Sequence, residues 1–383
     1  MMTFSRADNS LLSRWWWTVD RWMLALVFIL ITTGIWLTLT ASPAVAERIG
    51  LDAFHFVKRQ SFFLTLALIT VVGVSVLPIK WVKRMSLIGL PVTVLLLILT
   101  LVIGPEIKGA TRWLQIGSFT LQPSEFMKPF FIVSMAWILS AEFTGKPIPA
   151  KKIATCIYAF IAGLLVLQPD FGQTVLISGV FFAQMALAGM PMTWIVMSGL
   201  AGVMGLGLAY SLLPHVASRI DRFINPASGD TYQTDKALEA FESGGLLGKG
   251  PGEGSVKLYL PDAHADYIFA VVGEEFGAIA CVMLLLLFAG IVVRGLAHLL
   301  DEANPFRLLA AAGLIIQFGF QSLINIGVNL AVLPSKGMTL PFISYGGSSM
   351  LALAIGMGMV LALTKRNRFI APNTDMVGWK AAE

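Results

Sequence analysis

The feature that most constrains this chain is a succession of apolar runs, each close to the length a helix needs to cross a lipid bilayer. A hydrocarbon core of about 30 Å takes roughly 20 residues at about 1.5 Å each. Runs of that kind cover residues 22–40, 61–78, 86–104, 125–141, 153–168, 171–189, 193–213, 267–293, 307–333 and 348–364. In lipid, backbone N–H and C=O groups must be satisfied within the spanning segment, which favours helices. The expected fold is therefore an all-α polytopic membrane protein of about ten transmembrane helices. The 383 residues could make two or three soluble domains by length alone, but only 13% are charged and 56% are hydrophobic, whereas a soluble domain carries about 25% charge. No long polar linker divides the chain. One membrane domain, residues 22–364, is expected between an N-tail (1–21) and a C-tail (365–383). The tail before the first run is polar and charged, so that run reads as a span and not as a cleavable signal.

Ten spans put both tails on one side. Fifteen Lys and Arg residues lie in the tails or in the short loops on that side, eleven lie in the opposite loops, and Lys128 lies within a span. The positive-inside rule then places both termini in the cytoplasm. The triplet Trp15-Trp16-Trp17 before the first run reads as an interfacial anchor. Cys156 and Cys281, inside apolar runs, read as small buried hydrophobes. Basic residues flank apolar runs and form no stripe with interleaved aromatics, so membrane lipids are expected partners and nucleic acid is not.

The opposite face carries the long loops, of which 214–266 is the largest and holds five basic and eight acidic residues. It ends in Leu260-Pro261-Asp262-Ala263-His264-Ala265-Asp266-Tyr267, running into Gly273-Glu274-Glu275-Phe276-Gly277. Asp266 stands where water gives way to hydrocarbon, and desolvation there would raise its pKa towards that of a general base. Asp262 or Asp266 serving as a helix N-cap is the equal alternative. His264 with the two aspartates could bind a divalent cation, although the ligand count is low and no cofactor is certain. Arg219 and Arg222, three residues apart, suit phosphate oxygens or else form a solvated loop with Asp221. Gly248 to Gly254 is glycine-rich but does not lead from a strand into a helix, so a flexible turn is expected there. Leu333 to Ser349 is broken by prolines and glycines, and irregular backbone at the membrane edge must be buried or line a polar cavity. Lys336 in that stretch could meet a phosphate or snorkel, and Asn325 and Asn329 on the preceding span point to the same region. Arg112 follows Gly109-Ala110-Thr111, and Glu125 and Lys128, i and i+3 in a span, are expected to neutralise each other. Ionisable groups inside spans remain functional candidates.

Taken together, Gly109 to Trp113, Gln122 to Phe126, Gln168 to Gly172, Pro261 to Asp266 and Pro341 to Ser349 resemble the signatures of the SEDS (shape, elongation, division, sporulation) glycosyltransferases, in the family's order. The resemblance covers about residues 20 to 365. Leu333 to Pro341 and the long polar N-tail are similar to the division branch more than to the elongation branch. The resemblance implies ten spans and peptidoglycan glycosyltransferase activity on lipid II, an undecaprenyl-pyrophosphate disaccharide pentapeptide. It also implies a class B penicillin-binding transpeptidase as partner among other divisome proteins, and Asp266 as the catalytic residue. Many division members have an acidic residue eight positions earlier, where this chain has Leu258, so no role is carried there. On this reading Asp266 takes the proton of the acceptor sugar hydroxyl, while Arg219, Arg222 and Lys336 hold the departing pyrophosphate; Asp262, His264, Arg112 and Lys128 complete the substrate-binding candidates. Competing readings are a lipid II flippase using Arg112, Glu125 and Lys128, a scaffold that only recruits the transpeptidase, and an elongation-type polymerase.

Overall fold

The computed structural model describes residues 10–48, 50–106, 110–117, 119–145, 147–212, 214–225, 231–334 and 337–365. A short helix α1 (Leu11–Thr18) precedes α2 (Arg21–Arg48), α3 (His55–Val76), α4 (Ile79–Ile103), α5 (Pro123–Leu139), α6 (Ala150–Leu167), α7 (Phe171–Leu187) and α8 (Met192–Leu212). Then come α9 (Pro214–Ile224), α10 (Tyr232–Gly244), α11 (Ile268–Ala297), α12 (Pro305–Asn329) and α13 (Gly347–Leu363). Each expected span coincides with one of α2–α8 or α11–α13. Eight of these ten are long and apolar enough to cross a membrane, α5 once the 3-10 turn that carries it on to Thr144 is included, and α7 and α13 are slightly shorter, at 17 residues each. A small hairpin, β1 (Leu114–Ile116) against β2 (Phe119–Leu121), adds strand to the otherwise helical fold between α4 and α5.

Local chemistry explains where the helices start and how one end of the bundle is closed. Asp20 caps α2, its Oδ1 accepting from the N–H groups of Trp22 (3.1 Å) and Met23 (3.3 Å). Both its oxygens also accept from Arg294 at the end of α11, at 2.9 Å each. The Asn304 side chain caps α12, with Pro305 in the first helical turn. Orphan carbonyls at the ends of α3 and α13 are met by cations: Lys365 donates to Val76 and Leu77, and Arg307 donates to Leu363 and Lys365. Trp15 Nε1 donates to Ser75 Oγ at 2.9 Å, which anchors α1 to the same end of α3. The first and last described helices thus finish at one end of the bundle, as an even number of spans requires.

Helix α12 lies at the centre, touching α5, α7, α11 and α13. Of the cysteines, Cys281 is buried, whereas Cys156 faces outward from α6, where a lipid tail suits a small apolar thiol as well as a core does.

The long loop after α8 is largely structured. Helix α10 lies on the first half of α11 so closely that a Cβ on Gly244 would come within 2.0 Å of the Gly273 carbonyl oxygen. Helix α11 is broken at Gly277, where φ is 77° and ψ 179°, values open to glycine. The regular bonds from Ala278 to Glu274 and from Ile279 to Glu275 are exchanged there. Ala278 and Ile279 N–H donate to Gly245 and Leu246, while the Glu274 and Glu275 carbonyls accept from Lys249 and Gly250. The segment expected to be a flexible turn therefore begins as a docked strap that satisfies the break in α11, because buried backbone groups need partners. The side chains of Glu274 and Glu275 turn the same way: Glu274 accepts from Val256 and Lys257 N–H (2.7 and 2.9 Å), and Glu275 pairs with the Lys257 ammonium.

Candidate active site

The chain enters α11 through a tight turn that places Asp262, His264 and Asp266 together. Asp262 adopts φ 54°, a region an aspartate tolerates better than most residues, and its carbonyl accepts the Ala265 N–H at 2.9 Å. The cap position of α11 belongs to Tyr267, which makes no side-chain cap bond, so neither aspartate sits at that cap. The half-buried Asp266 is held by its main chain: its carbonyl accepts from Asn325 Nδ2 and Asn329 Nδ2, both at 2.9 Å. Its carboxylate lies under Gly337, where an added Cβ would come within 2.8 Å of Oδ2. Glycine leaves room there for the carboxylate beneath the loop.

The irregular stretch after α12 is that loop, and it is buried as its composition requires. Leu340, Phe342, Ile343 and Ser344 are buried. Ser344 Oγ donates to the Ala265 carbonyl (2.5 Å) and accepts the Leu340 N–H (2.7 Å), Tyr345 N–H donates to the His264 carbonyl (2.9 Å), and Gln60 Nε2 donates to the Ser344 carbonyl (3.2 Å). Loop and turn therefore form one hydrogen-bonded unit.

His264 departs from its expected role as a polar ligand. Its ring is buried between Phe56 (centroids 4.4 Å apart) and Tyr345 (5.2 Å). Burial pushes its pKa down to about 4, Asp262 opposes that shift and Arg48 adds to it, so the ring is neutral near pH 7. Burial, with Asp266 and Asp262 nearby, pushes the Tyr267 phenol up to about 12. Among the described residues no group of three or more His, Cys, Asp and Glu side chains is placed to hold a metal ion.

Lys128 and Arg112 are engaged by the protein itself. Lys128 is fully buried and pairs with Glu125 at 2.8 Å, as the i,i+3 spacing predicts. It also donates to Gln321 Oε1 (3.1 Å), and Gln321 Nε2 donates to the carbonyl and hydroxyl oxygens of Thr339 (3.1 and 3.2 Å). Thr339 and Ser349 hydroxyls lie 2.6 Å apart. The buried ion pair is thus wired to the loop over Asp266. Arg112 instead braces the turn between α6 and α7: it donates to the carbonyls of Gln168 and Pro169, and its Nε lies 3.8 Å from Asp170. Arg219 and Arg222 belong to α9, but their side chains lie outside the described residues, as does Lys336.

Sequence reasoning missed Gln321, Gly337, Gln60 and Arg48, whose Nη1 reaches the Leu258 and Leu260 carbonyls at 3.4 Å. The signal for Gln321 was its spacing: positions 321, 325 and 329 recur every four residues and place three amides on one helix face.

Comparison with known proteins bears on the family of the chain. Residues 20–369 match the cell cycle protein family that groups FtsW, RodA and SpoVE. A protein of Caulobacter vibrioides named "Probable peptidoglycan glycosyltransferase FtsW" is 46% identical over 364 residues, 95% of this chain and 93% of that one. One of the same name from Hydrogenovibrio crunogenus is 36% identical, covering 92% and 93%. Among solved structures, one described as a peptidoglycan synthase complex that coordinates polymerization and crosslinking superposes with a TM-score of 0.74 at 27% identity, covering 90% of this chain and 97% of that one. The rod shape determining protein RodA of Thermus thermophilus superposes with a TM-score of 0.68 at 27% identity, covering 93% and 99%. The chain belongs to the FtsW/RodA/SpoVE family, the SEDS proteins.

Proposed function

We propose that this protein is the peptidoglycan glycosyltransferase of septal wall synthesis, polymerising lipid II into glycan strands with Asp266 as general base. The observation that carries the reading is the setting of Asp266: a half-buried carboxylate at the mouth of a membrane span, its main chain pinned by two buried amides and its side chain roofed by Gly337. A base at that depth meets an acceptor sugar while the polyprenyl tail stays in lipid. It takes the acceptor hydroxyl proton as that oxygen attacks the donor's anomeric carbon, and undecaprenyl pyrophosphate departs. Arg219, Arg222 and Lys336 offset the charge on the departing pyrophosphate. Asp262 faces the same turn, whereas His264, Arg112 and Lys128 act as framework. Relatives named FtsW at 36–46% identity, against 27% for RodA, support the division role over elongation. The solved synthase complex, which joins polymerization to crosslinking, supports a transpeptidase partner, on this reading a class B penicillin-binding protein working with other divisome proteins.

Both termini are cytoplasmic on this reading. The fifteen-to-eleven distribution of basic residues supports it, as does the convergence of the first and last described helices on one end of the bundle. The deciding experiment is polymerisation of lipid II in detergent by the purified protein, with and without its transpeptidase. Glycan chains are expected from the native protein and none from Asp266→Ala; full activity in that variant refutes the base assignment.

A further inference from the structure

We propose that Asn325 is a positioning residue for Asp266, its one side-chain amide fixing both the Asp266 turn and the loop above it to a single face of α12. The proposal rests on the reading of Asp266 as the base. The two N–H bonds of Asn325 Nδ2 go to two different segments: the Asp266 carbonyl at 2.9 Å and the Met338 carbonyl at 2.6 Å. Met338 adjoins Gly337, the residue that lies over the Asp266 carboxylate. One amide therefore sets the floor and the roof of the carboxylate against each other.

Four residues on, Asn329 repeats half of this arrangement. It donates to the Asp266 carbonyl (2.9 Å) and accepts the Ala270 N–H (3.1 Å), holding the first turn of α11 in register. Four residues back, Gln321 holds Thr339. Asn325 and Asn329 are buried at 1% and 0% exposure, so their bonds compete with no water. The orientation of Asn325 follows from its partners, because a carbonyl turned to two carbonyls would repel both. An uncharged amide also supplies two donors beside a working carboxylate without the desolvation cost of a cation.

The consequence is geometric. Asp266 is only half-buried and its carboxylate must meet an acceptor hydroxyl, and a misplacement of about 1 Å in such a group costs on the order of 100-fold in rate. The test replaces Asn325 with leucine, which keeps the shape and deletes both donors. Turnover of lipid II by the Asn325→Leu protein, purified with its transpeptidase, is measured beside its melting temperature. A kcat lower by roughly 10- to 100-fold, with KM within about threefold and melting little changed, is expected. Native kcat in the folded variant, or a loss confined to KM or to folded yield, overturns the proposal. Should Asn325→Leu not fold, Asn329→Leu, which leaves the Met338 bond in place, is read in its stead: a partial kcat loss at unchanged KM supports the ladder, and native kcat overturns it. An Asp266→Asn arm separates the two claims. Native turnover there removes the base itself, whereas loss there with native turnover in Asn325→Leu leaves the base and removes the positioning.

Discussion

Helices α8 and α12 are both long and apolar enough to cross a bilayer, yet they meet their surroundings in opposite ways. The most apolar window of α12 is 72% buried within the protein, and that of α8 is 0% buried, its principal neighbours being α7 and α9. Helix α12 carries Gln317, Gln321, Ser322, Asn325 and Asn329 among its buried residues, whereas α8 presents apolar side chains and four glycines with open space beside them. A helix that is hydrophobic all round is suited to lipid. One that brings amides into the interior has to find partners for them, and those partners are what hold the site. The difference teaches that this fold uses polar burial as a positioning device in the span that holds Asp266.

Substitutions can break or sharpen that contrast. The largest effect is expected at the group α12 supports: Asp266→Ala should abolish glycan formation from lipid II, read by gel, with unfolding temperature nearly native. Next, Lys128→Met strips the cation from a buried Glu125, which keeps Gln173, and removes the donor to Gln321 Oε1. Breaking a buried pair costs about 3–5 kcal/mol, and thermal unfolding should show it, with most of the loss regained in Glu125→Gln/Lys128→Met. Third comes a pH effect at the turn that α12 pins. His264 has a folded pKa of about 4, below its ordinary 6.5, so between those values the unfolded chain binds the extra proton. Stability is therefore full above about pH 6.5 and is lost as the pH falls towards 4, by about 3 kcal/mol in all. His264→Phe should flatten that part of the profile in unfolding measured against pH.

The same substitution made in both helices should behave differently. In α12 a Cβ on Gly313 would lie 2.6 Å from Gln184 Nε2 and 2.7 Å from Ile132 Cγ2. Gly313→Ala is expected to cost about 1–3 kcal/mol through overpacking. In α8 nothing lies within 4 Å of a Cβ on Gly202. Gly202→Ala should leave both stability and turnover within about 0.5 kcal/mol of native. Equal costs at the two positions would erase the distinction between the helices.

Much of the architecture was legible in the residues because hydrocarbon tolerates few backbone solutions. All ten apolar runs became helices, and even the short break at Gln168, Pro169 and Asp170 separated α6 from α7. The Glu125–Lys128 pair could be read from i,i+3 spacing. What spacing could not convey was direction. His264 looked like a polar ligand between two aspartates, but its ring is turned into an aromatic stack contributed by residues 56 and 345. Gly248 and its neighbours looked flexible because their partner, the broken turn at Gly277, is a separate element that satisfies them only after folding.

The sequence by itself determined a membrane protein of ten spans and the carboxylate to suspect, because hydropathy, charge placement and local motifs act over a few residues and leave their mark on composition. Only the tertiary structure decided how that carboxylate is held. Asn325 meets Asp266 across 59 positions of chain, and Lys128 meets Gln321 across 193. Contacts of that range depend on which helix faces touch, and a face acquires its neighbour only when the bundle closes.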